Sequence, residues 1–290
     1  MYRWLHWLIE EDRRRDVLVV IWGVHTPDWM DALAPSAAVW KALPQVREVM
    51  LLSDSAPHIP LRARWGRRTV VVPLMEVHIG RRPDGFAALV PTAEALETLG
   101  DKARFEDYSA ARNLSHLCPP SFDSIEAATF PCVIKRTNLN GGCGVELAET
   151  PERARRILER EPFAGHPCLI QALAPVRVEY VVHCVCVAGR IVWHQVYACD
   201  REQTQIRRGG DGVPLRRATL PDSVKAELEA FLLPLAYSGP CNADCTWDDD
   251  GRLMVFEINP RLGGSLMRPE NAPDLAACLS AIIAHAAPDA

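Results

Sequence analysis

The stretch from Asp244 to Ser265 most constrains what this chain can fold into: Asp-Cys-Thr-Trp-Asp-Asp-Asp-Gly-Arg-Leu-Met-Val-Phe-Glu-Ile-Asn-Pro-Arg-Leu-Gly-Gly-Ser. Asp244 and Glu257 lie at the ends of two apolar runs joined by the turn Asp248-Asp249-Asp250-Gly251, so an antiparallel hairpin brings these carboxylates onto neighbouring strands. Asn259 follows Glu257 by two residues, and residues two apart on an extended chain share a face. Three hard oxygen donors therefore converge. Such a set suits Mg²⁺, with Mn²⁺ as the alternative ion, because Mg²⁺ takes one or two protein carboxylates and completes its octahedron with water and substrate phosphates. The ligand this implies is a nucleotide.

A chain of 290 residues is long enough to bury a large core and to divide into two or three packed subdomains. The formal charge of −5 gives no global electrostatic reason to expect nucleic acid or an anionic membrane as partner. Ten cysteines are present without a C-x-x-C pair, which argues against a zinc site or a disulfide framework and for reduced, packed thiols. The N-terminal segment carries Trp4, Leu5, Trp7, Leu8 and Ile9 but is broken by Glu10-Glu11-Asp12 and three arginines, too short and too charged for a secretory signal. No apolar run reaches the roughly 18 residues of a membrane span. A cytoplasmic location is expected.

Along the chain, Val17–Trp22 reads as a strand buried on both faces. Residues 29–43 read as its covering helix, shortened or kinked at Pro35. Residues 46–52, 69–74 and 86–90 repeat the strand signal, which makes an open parallel α/β sheet of roughly the first hundred residues. Thr92 caps a helix through Leu99, and a second helix covers 102–117 before Pro119-Pro120. Further on come a strand at 132–135, a glycine-rich loop at 138–144, a charged helix at 151–161 and a strand at 168–173. Strands at 178–187 and 190–197 flank the tight turn Ala188-Gly189. A polar, arginine-bearing loop spans 199–217, and helices follow at 222–235 and 274–287.

The second chemical signal is Phe130-Pro-Cys-Val-Ile-Lys135, followed by Asn140-Gly-Gly-Cys-Gly-Val145. Glycines let backbone N–H groups approach an anion closely, and a lysine leaving the preceding strand adds a point charge. This is not a Walker A loop, because the lysine precedes the glycines and no Gly-Lys-Ser/Thr opens a helix. Alone, the glycine run is more often a plain hairpin turn; the acid–amide set downstream turns the balance toward a phosphate cradle.

With both pieces in view, the chain resembles the ATP-grasp superfamily over most of residues 100–270. The motifs occur in that family's order: Gly100-Asp101-Lys102, Val133-Ile134-Lys135 with its loop, Leu169-Ile170-Gln171-Ala172 ahead of Glu179-Tyr180, and Asp244, Glu257, Asn259. The resemblance implies an α/β (α+β) architecture with a small N-terminal open α/β domain over 1–100. The two-lobed ATP-grasp domain would cover 101–290, its small lobe about 118–174 and its large lobe about 175–290. It also implies that Lys102 and Lys135 hold ATP phosphates, with Gly141, Gly142, Cys143, Gly144 and Val145 as the cradle. Gln171, Ala172, Leu173 and Ala174 would line adenine, Glu179 would meet the ribose, and Asp244, Glu257 and Asn259 would hold Mg²⁺. The interval from Asp244 to Glu257 is that of D-alanine:D-alanine ligase, although one residue is inserted between the adenine segment and Glu179. The segment Glu257-Ile-Asn-Pro-Arg261 looks more like carbamoyl-phosphate synthetase and biotin carboxylase, where the arginine holds the carboxylate or acyl phosphate; Arg261 takes that role here.

The reaction so implied is attack of a carboxylate on the γ-phosphate of ATP, giving an acyl phosphate that an amine displaces. The resemblance implies small, amino-acid-like acid and amine substrates, with a homodimer as a further expectation. Arg207 and Arg208 either fold over the nucleotide and exclude water or belong to a solvated loop. Glu76 and His78, after the third strand, are further candidates for substrate contact. His183 and His194 read as packed or surface residues, and Trp4, Trp7 and Trp22 as a core edge or a dimer contact. Two rival readings stay open: the same scaffold with a thiol or kinase-type acceptor, and an ATP-binding regulatory protein without turnover.

Overall fold

The computed structural model describes residues 16–56, 68–139, 142–200, 214–248 and 250–288. Strand β1, Val17–Trp22, is a run of six buried side chains. That burial follows from its position, with β2 (Val46–Leu52) on one side and β3 (Arg68–Pro73) on the other, both parallel to it. A two-residue strand, β4 (Ala87–Ala88), completes the order β2-β1-β3-β4 and is all that forms of the strand expected at 86–90. Trp22 is 3% exposed and packs with Leu18, Val20 and Val71, so it is a core residue.

The helix expected over 29–43 is two pieces. Helix α1, Pro27–Leu33, stops where Ala34 turns extended (ψ 148°), as a residue before proline is driven to do. A 3₁₀ turn follows at Ala38–Ala42. The Trp40 indole N–H closes the break by donating to the carbonyls of Leu33 (3.2 Å) and Ala34 (2.9 Å). Helix α2, Glu76–Gly80, starts directly after β3, and α3, Ala93–Gly100, is capped as expected, with Thr92 Oγ1 accepting the Ala95 N–H at 3.2 Å. Asp101 caps α4, Lys102–Ala111, by accepting from the N–H groups of Ala103 and Arg104. The chain then turns through Asn113, in the left-handed region at φ 59°, and ends in a 3₁₀ turn at Ser115–Leu117, so the expected single helix to 117 is shorter.

Two antiparallel sheets follow. The smaller contains β5 (Ser121–Phe122), β6 (Cys132–Arg136), β7 (Val145–Ala148) and β8 (Cys168–Ala172) in the order β5-β8-β6-β7. Helix α5, Pro151–Leu158, covers it, burying Ala154 and Ile157 against Cys132, Ile134 and Ala148. The larger sheet holds β9 (Val178–Val187), β10 (Arg190–Asp200), β11 (Arg216–Ala218), β12 (Gly239–Trp247) and β13 (Leu253–Asn259), ordered β11-β10-β9-β12-β13. Ala188 and Gly189 (φ 47° and 82°) make the tight turn between β9 and β10. Helix α6, Asp222–Leu232, passes into a 3₁₀ turn at Leu233–Leu235, where Pro234 has no N–H to continue an α-helix.

The closing helix α7, Ala272–His285, buries Leu275, Leu279, Ile282 and Ile283 in the same core as Val17, Val19 and Val70 of the parallel sheet. The last helix thus ties the parallel sheet to the larger antiparallel one, whose Val185 and Tyr197 share this core. All ten cysteines are free thiols. Among the described residues, no helix is long and apolar enough to cross a membrane. The expectations for Trp4, Trp7, Asn140, Gly141, Arg207, Arg208 and Asp249 fall outside the described residues.

Candidate functional site

The hairpin β12–β13 sets Asp244 directly opposite Glu257 and Asn242 opposite Asn259. Its register then shifts, with Cys245 facing Val255, so that Phe256 is the extra residue of a β-bulge. Bulges re-aim side chains. Cys245 and Val255 enter the hydrophobic core at 0% exposure, whereas Phe256 turns toward Lys135, whose Nζ lies 5.7 Å from its ring centroid. Simple alternation from Glu257 puts Phe256 on the wrong face, which is why strand periodicity missed it.

Glu257 is the centre of charge. Its Oε2 lies 3.0 Å from Lys102 Nζ, and its Oε1 accepts from Asn259 Nδ2 at 3.0 Å. Burial alone would raise its pKa; the Lys102 ammonium, the Asn259 hydrogen bond and the Lys135 charge instead hold it down to about 2. Lys102 Nζ also donates to the Leu139 carbonyl at 2.6 Å, tying the first turn of α4 to the glycine loop. Burial pushes the Lys135 ammonium below its usual range, opposed by Glu257, Glu179 and Asp244 and reinforced by Lys102. Lys102, Lys135, Asp244, Glu257 and Asn259 thus share one neighbourhood. Two facing carboxylates and a carboxamide form a hard, all-oxygen donor set that fits Mg²⁺ better than a soft metal. Among the described residues there is no cluster of three His, Cys, Asp or Glu to compete with it.

The other described residues of the expected site lie on the β6–β7 loop, at the end of β8 and on β9. Gly142 and Gly144 adopt left-handed φ values of 76° and 67°, and the Arg136 N–H donates to the Gly144 carbonyl at 2.7 Å, closing the loop between β6 and β7. Cys143 is exposed on that loop, and Val145 opens β7. Gln171 and Ala172 end β8, with Leu173 and Ala174 in the connection to β9, where Glu179 is buried. A cavity of about 440 Å³ runs beside them, walled by Lys102, Lys135, Leu169, Gln171 and Phe256.

Arg261 is buried and every guanidinium nitrogen is engaged: Nε with Glu76 Oε1 at 3.1 Å, Nη1 with the Leu262 carbonyl at 2.8 Å, and Nη2 with Asn259 Oδ1 at 3.5 Å. Glu76 opens α2 at the carboxyl end of β3, next to the carboxyl end of β1. These ends flank the point where strand order reverses, the usual ligand crevice of an open α/β sheet. His78 does not join: its ring packs on Gly23 and its Nδ1 accepts the Met75 N–H at 3.2 Å. His25 does approach Arg261, and burial first, then that guanidinium, lower its pKa.

Below Arg261, His183 (1% exposed) bonds through Nε2 to Ser265 Oγ at 2.6 Å, a packing role as the sequence indicated. His194 is exposed on β10. A Cβ on Gly263 would lie 2.3 Å from His183 Cε1 and 3.0 Å from Asn242 Cγ. Gly263→Ala must therefore lift the loop that carries Arg261. The expected cost is about 1–3 kcal/mol, visible as a lower melting temperature; an unchanged melting curve would show that this loop yields freely.

No protein-family model and no curated protein matches the sequence. Solved structures do match. D-cycloserine synthetase DcsG is similar with a TM-score of 0.61 at 15% identity, over 92% of this chain and 99% of that one. D-alanine–D-alanine ligase from Bacillus anthracis, complexed with ATP, gives 0.60 at 12% identity over 93% and 95%. L-amino acid ligase from Bacillus licheniformis gives 0.59 at 14% identity over 95% and 77%.

Proposed function

We propose that this chain, which has the ATP-grasp fold, is an ATP-dependent ligase that converts a small carboxylic acid to an acyl phosphate and passes the acyl group to an amine, releasing ADP and phosphate. The observation that carries this reading is the meeting of Lys102, Lys135, Asp244, Glu257 and Asn259 in one neighbourhood. Similar structures bearing the names of amino-acid ligases support the acid and amine classes.

Asp244, Glu257 and Asn259 would hold Mg²⁺, which when bound would supply positive charge against the phosphates. The protein's own task is positioning. Lys102, now paired with Glu257, and Lys135, over Phe256, would place two cations along the triphosphate. Charge developing on the transferring phosphoryl group needs fixed donors more than a protein nucleophile. Arg261, at the junction of the parallel sheet and the acid–amide set, would hold the substrate carboxylate. Its neighbours His25 and Glu76 make the carboxyl ends of β1 and β3 the wall against which the acid is selected. We assign Arg207 and Arg208 to covering the site, on the sequence alone.

Glu76 acts through Arg261 and is a positioning residue. Glu76→Gln should lower kcat/KM for the acid about tenfold while leaving the KM for ATP unchanged. A matched change in both KM values would place Glu76 elsewhere in the reaction. The activity itself is tested by measuring ADP release over a matrix of small carboxylic acids and amines. Release that requires one member of each class supports the ligase; release with acid alone or with thiols favours a different acceptor. Binding of ATP without release under any pair leaves a non-catalytic nucleotide-binding protein.

A further inference from the structure

Single apolar side chains at a surface need no explanation, but exposed ones that gather beside a binding group do. Among the described residues, four large apolar side chains are exposed. Val192 and Leu233 lie on β10 and on the 3₁₀ turn after α6. The other two, Val24 (57% exposed) and Val77 (49%), stand on the segments that leave β1 and β3, where the Arg261 loop meets the parallel sheet.

Three contacts bring this pair to one place. Strands β1 and β3 run side by side with Trp22 paired to Pro73, so the segments that leave them start together. Gly23 and His78 touch, since a Cβ on Gly23 would fall 2.1 Å from His78 Nδ1; Val24 follows that glycine and Val77 precedes that histidine. Trp29 fastens the Arg261 loop to the same spot: its Nε1 would lie 3.6 Å from a Cβ on Gly264, and its ring centroid is 4.2 Å from that of His25. Glu76, next to Val77 in the chain, meets Arg261 Nε at 3.1 Å.

Arg261 uses one N–H on each of its three nitrogens for Glu76, Leu262 and Asn259. Each terminal nitrogen keeps one more donor, and such a pair matches the two oxygens of a carboxylate. An acid held there has its chain beside Val24 and Val77, and beside the negative charge of Glu76, which repels a second carboxylate on that chain. We propose that the acid taken at Arg261 carries an uncharged apolar chain, which Val24 and Val77 seat. The inference rests on the acid-binding role given to Arg261 above and adds the class of acid to it. Apolar surface removed from water on both partners supplies the selection.

The test is calorimetry on the full chain with Mg²⁺ and ADP present. It gives dissociation constants for the straight-chain carboxylates from acetate to hexanoate and for the α-amino acids from glycine to norleucine. Affinity should rise about threefold for each added methylene in the series that binds. Adipate, as long as hexanoate but charged at both ends, should bind about tenfold more weakly than hexanoate. Joint replacement Val24→Thr and Val77→Thr keeps the shape of both side chains and puts hydroxyls on the wall. It should flatten the rise with chain length and leave the ATP-induced shift in melting temperature as it was. Affinity that stays level or falls with chain length in the unaltered protein overturns the proposal, as does a rise that the double variant retains. A contact between two copies of this chain at these valines would show as a loss of dimer mass in the double variant with the rise intact, which also overturns it. If no acid of either series binds while ATP still shifts the melting curve, the acid-binding role of Arg261 fails and the chain proposal falls with it, an outcome distinct from binding that ignores chain length.

Discussion

Glu257→Gln is expected to reduce ADP release by roughly 10³-fold or more, on the scale of losing a principal electrostatic contact to the transferring group. The substitution keeps the shape of the side chain and removes its charge. In the folded protein that charge is opposed by burial and held by Lys102 at 3.0 Å, by Asn259 and by Lys135. The amide oxygen takes over the hydrogen bond from Lys102 or from Asn259 but not both, so the variant should fold with a melting temperature lower by a few degrees. Mn²⁺ titrated with ATP present should bind the variant far more weakly. Normal turnover by a folded Glu257→Gln protein would move the metal site elsewhere.

Lys135→Met should separate stability from binding. Burial disfavours the Lys135 ammonium, so a methionine that keeps the contact with Phe256 should leave the protein as stable as before or more so. Nucleotide affinity should fall by about 10–100-fold, the range for losing a charge-assisted hydrogen bond. Thermal melts with and without ATP read both quantities at once. A variant that loses stability and keeps the ATP-induced shift would assign Lys135 a structural role.

The features that were legible in the amino acids are those whose signal is local. The apolar run Val17–Trp22 announces a strand buried on both faces, and the turn after Trp247 announces the hairpin. Thr92 announces its own helix cap. Asp244, Glu257 and Asn259 were also legible, because spacing two apart on β13 and a two-strand hairpin need no knowledge of the rest of the chain, whereas Lys135 came from the glycine run after its strand and Lys102 only from the family resemblance. The bulge at Phe256 was not, since a register shift depends on which partner residues the core accepts, here Cys245 and Val255. Nor was the bond between Arg261 and Glu76, separated by 185 positions, although Glu76 stood out for its place after β3. Helix ends were misjudged where tertiary contacts decide them, as at Ala34 and Asn113.

The most direct test is a crystal structure with Mg²⁺ and a non-hydrolysable ATP analogue. The account predicts an octahedral ion at about 2.1 Å from oxygens of Asp244, Glu257 and Asn259, with Lys102 and Lys135 on the phosphates. A nucleotide bound away from these five side chains, or a metal held without Glu257, would contradict it.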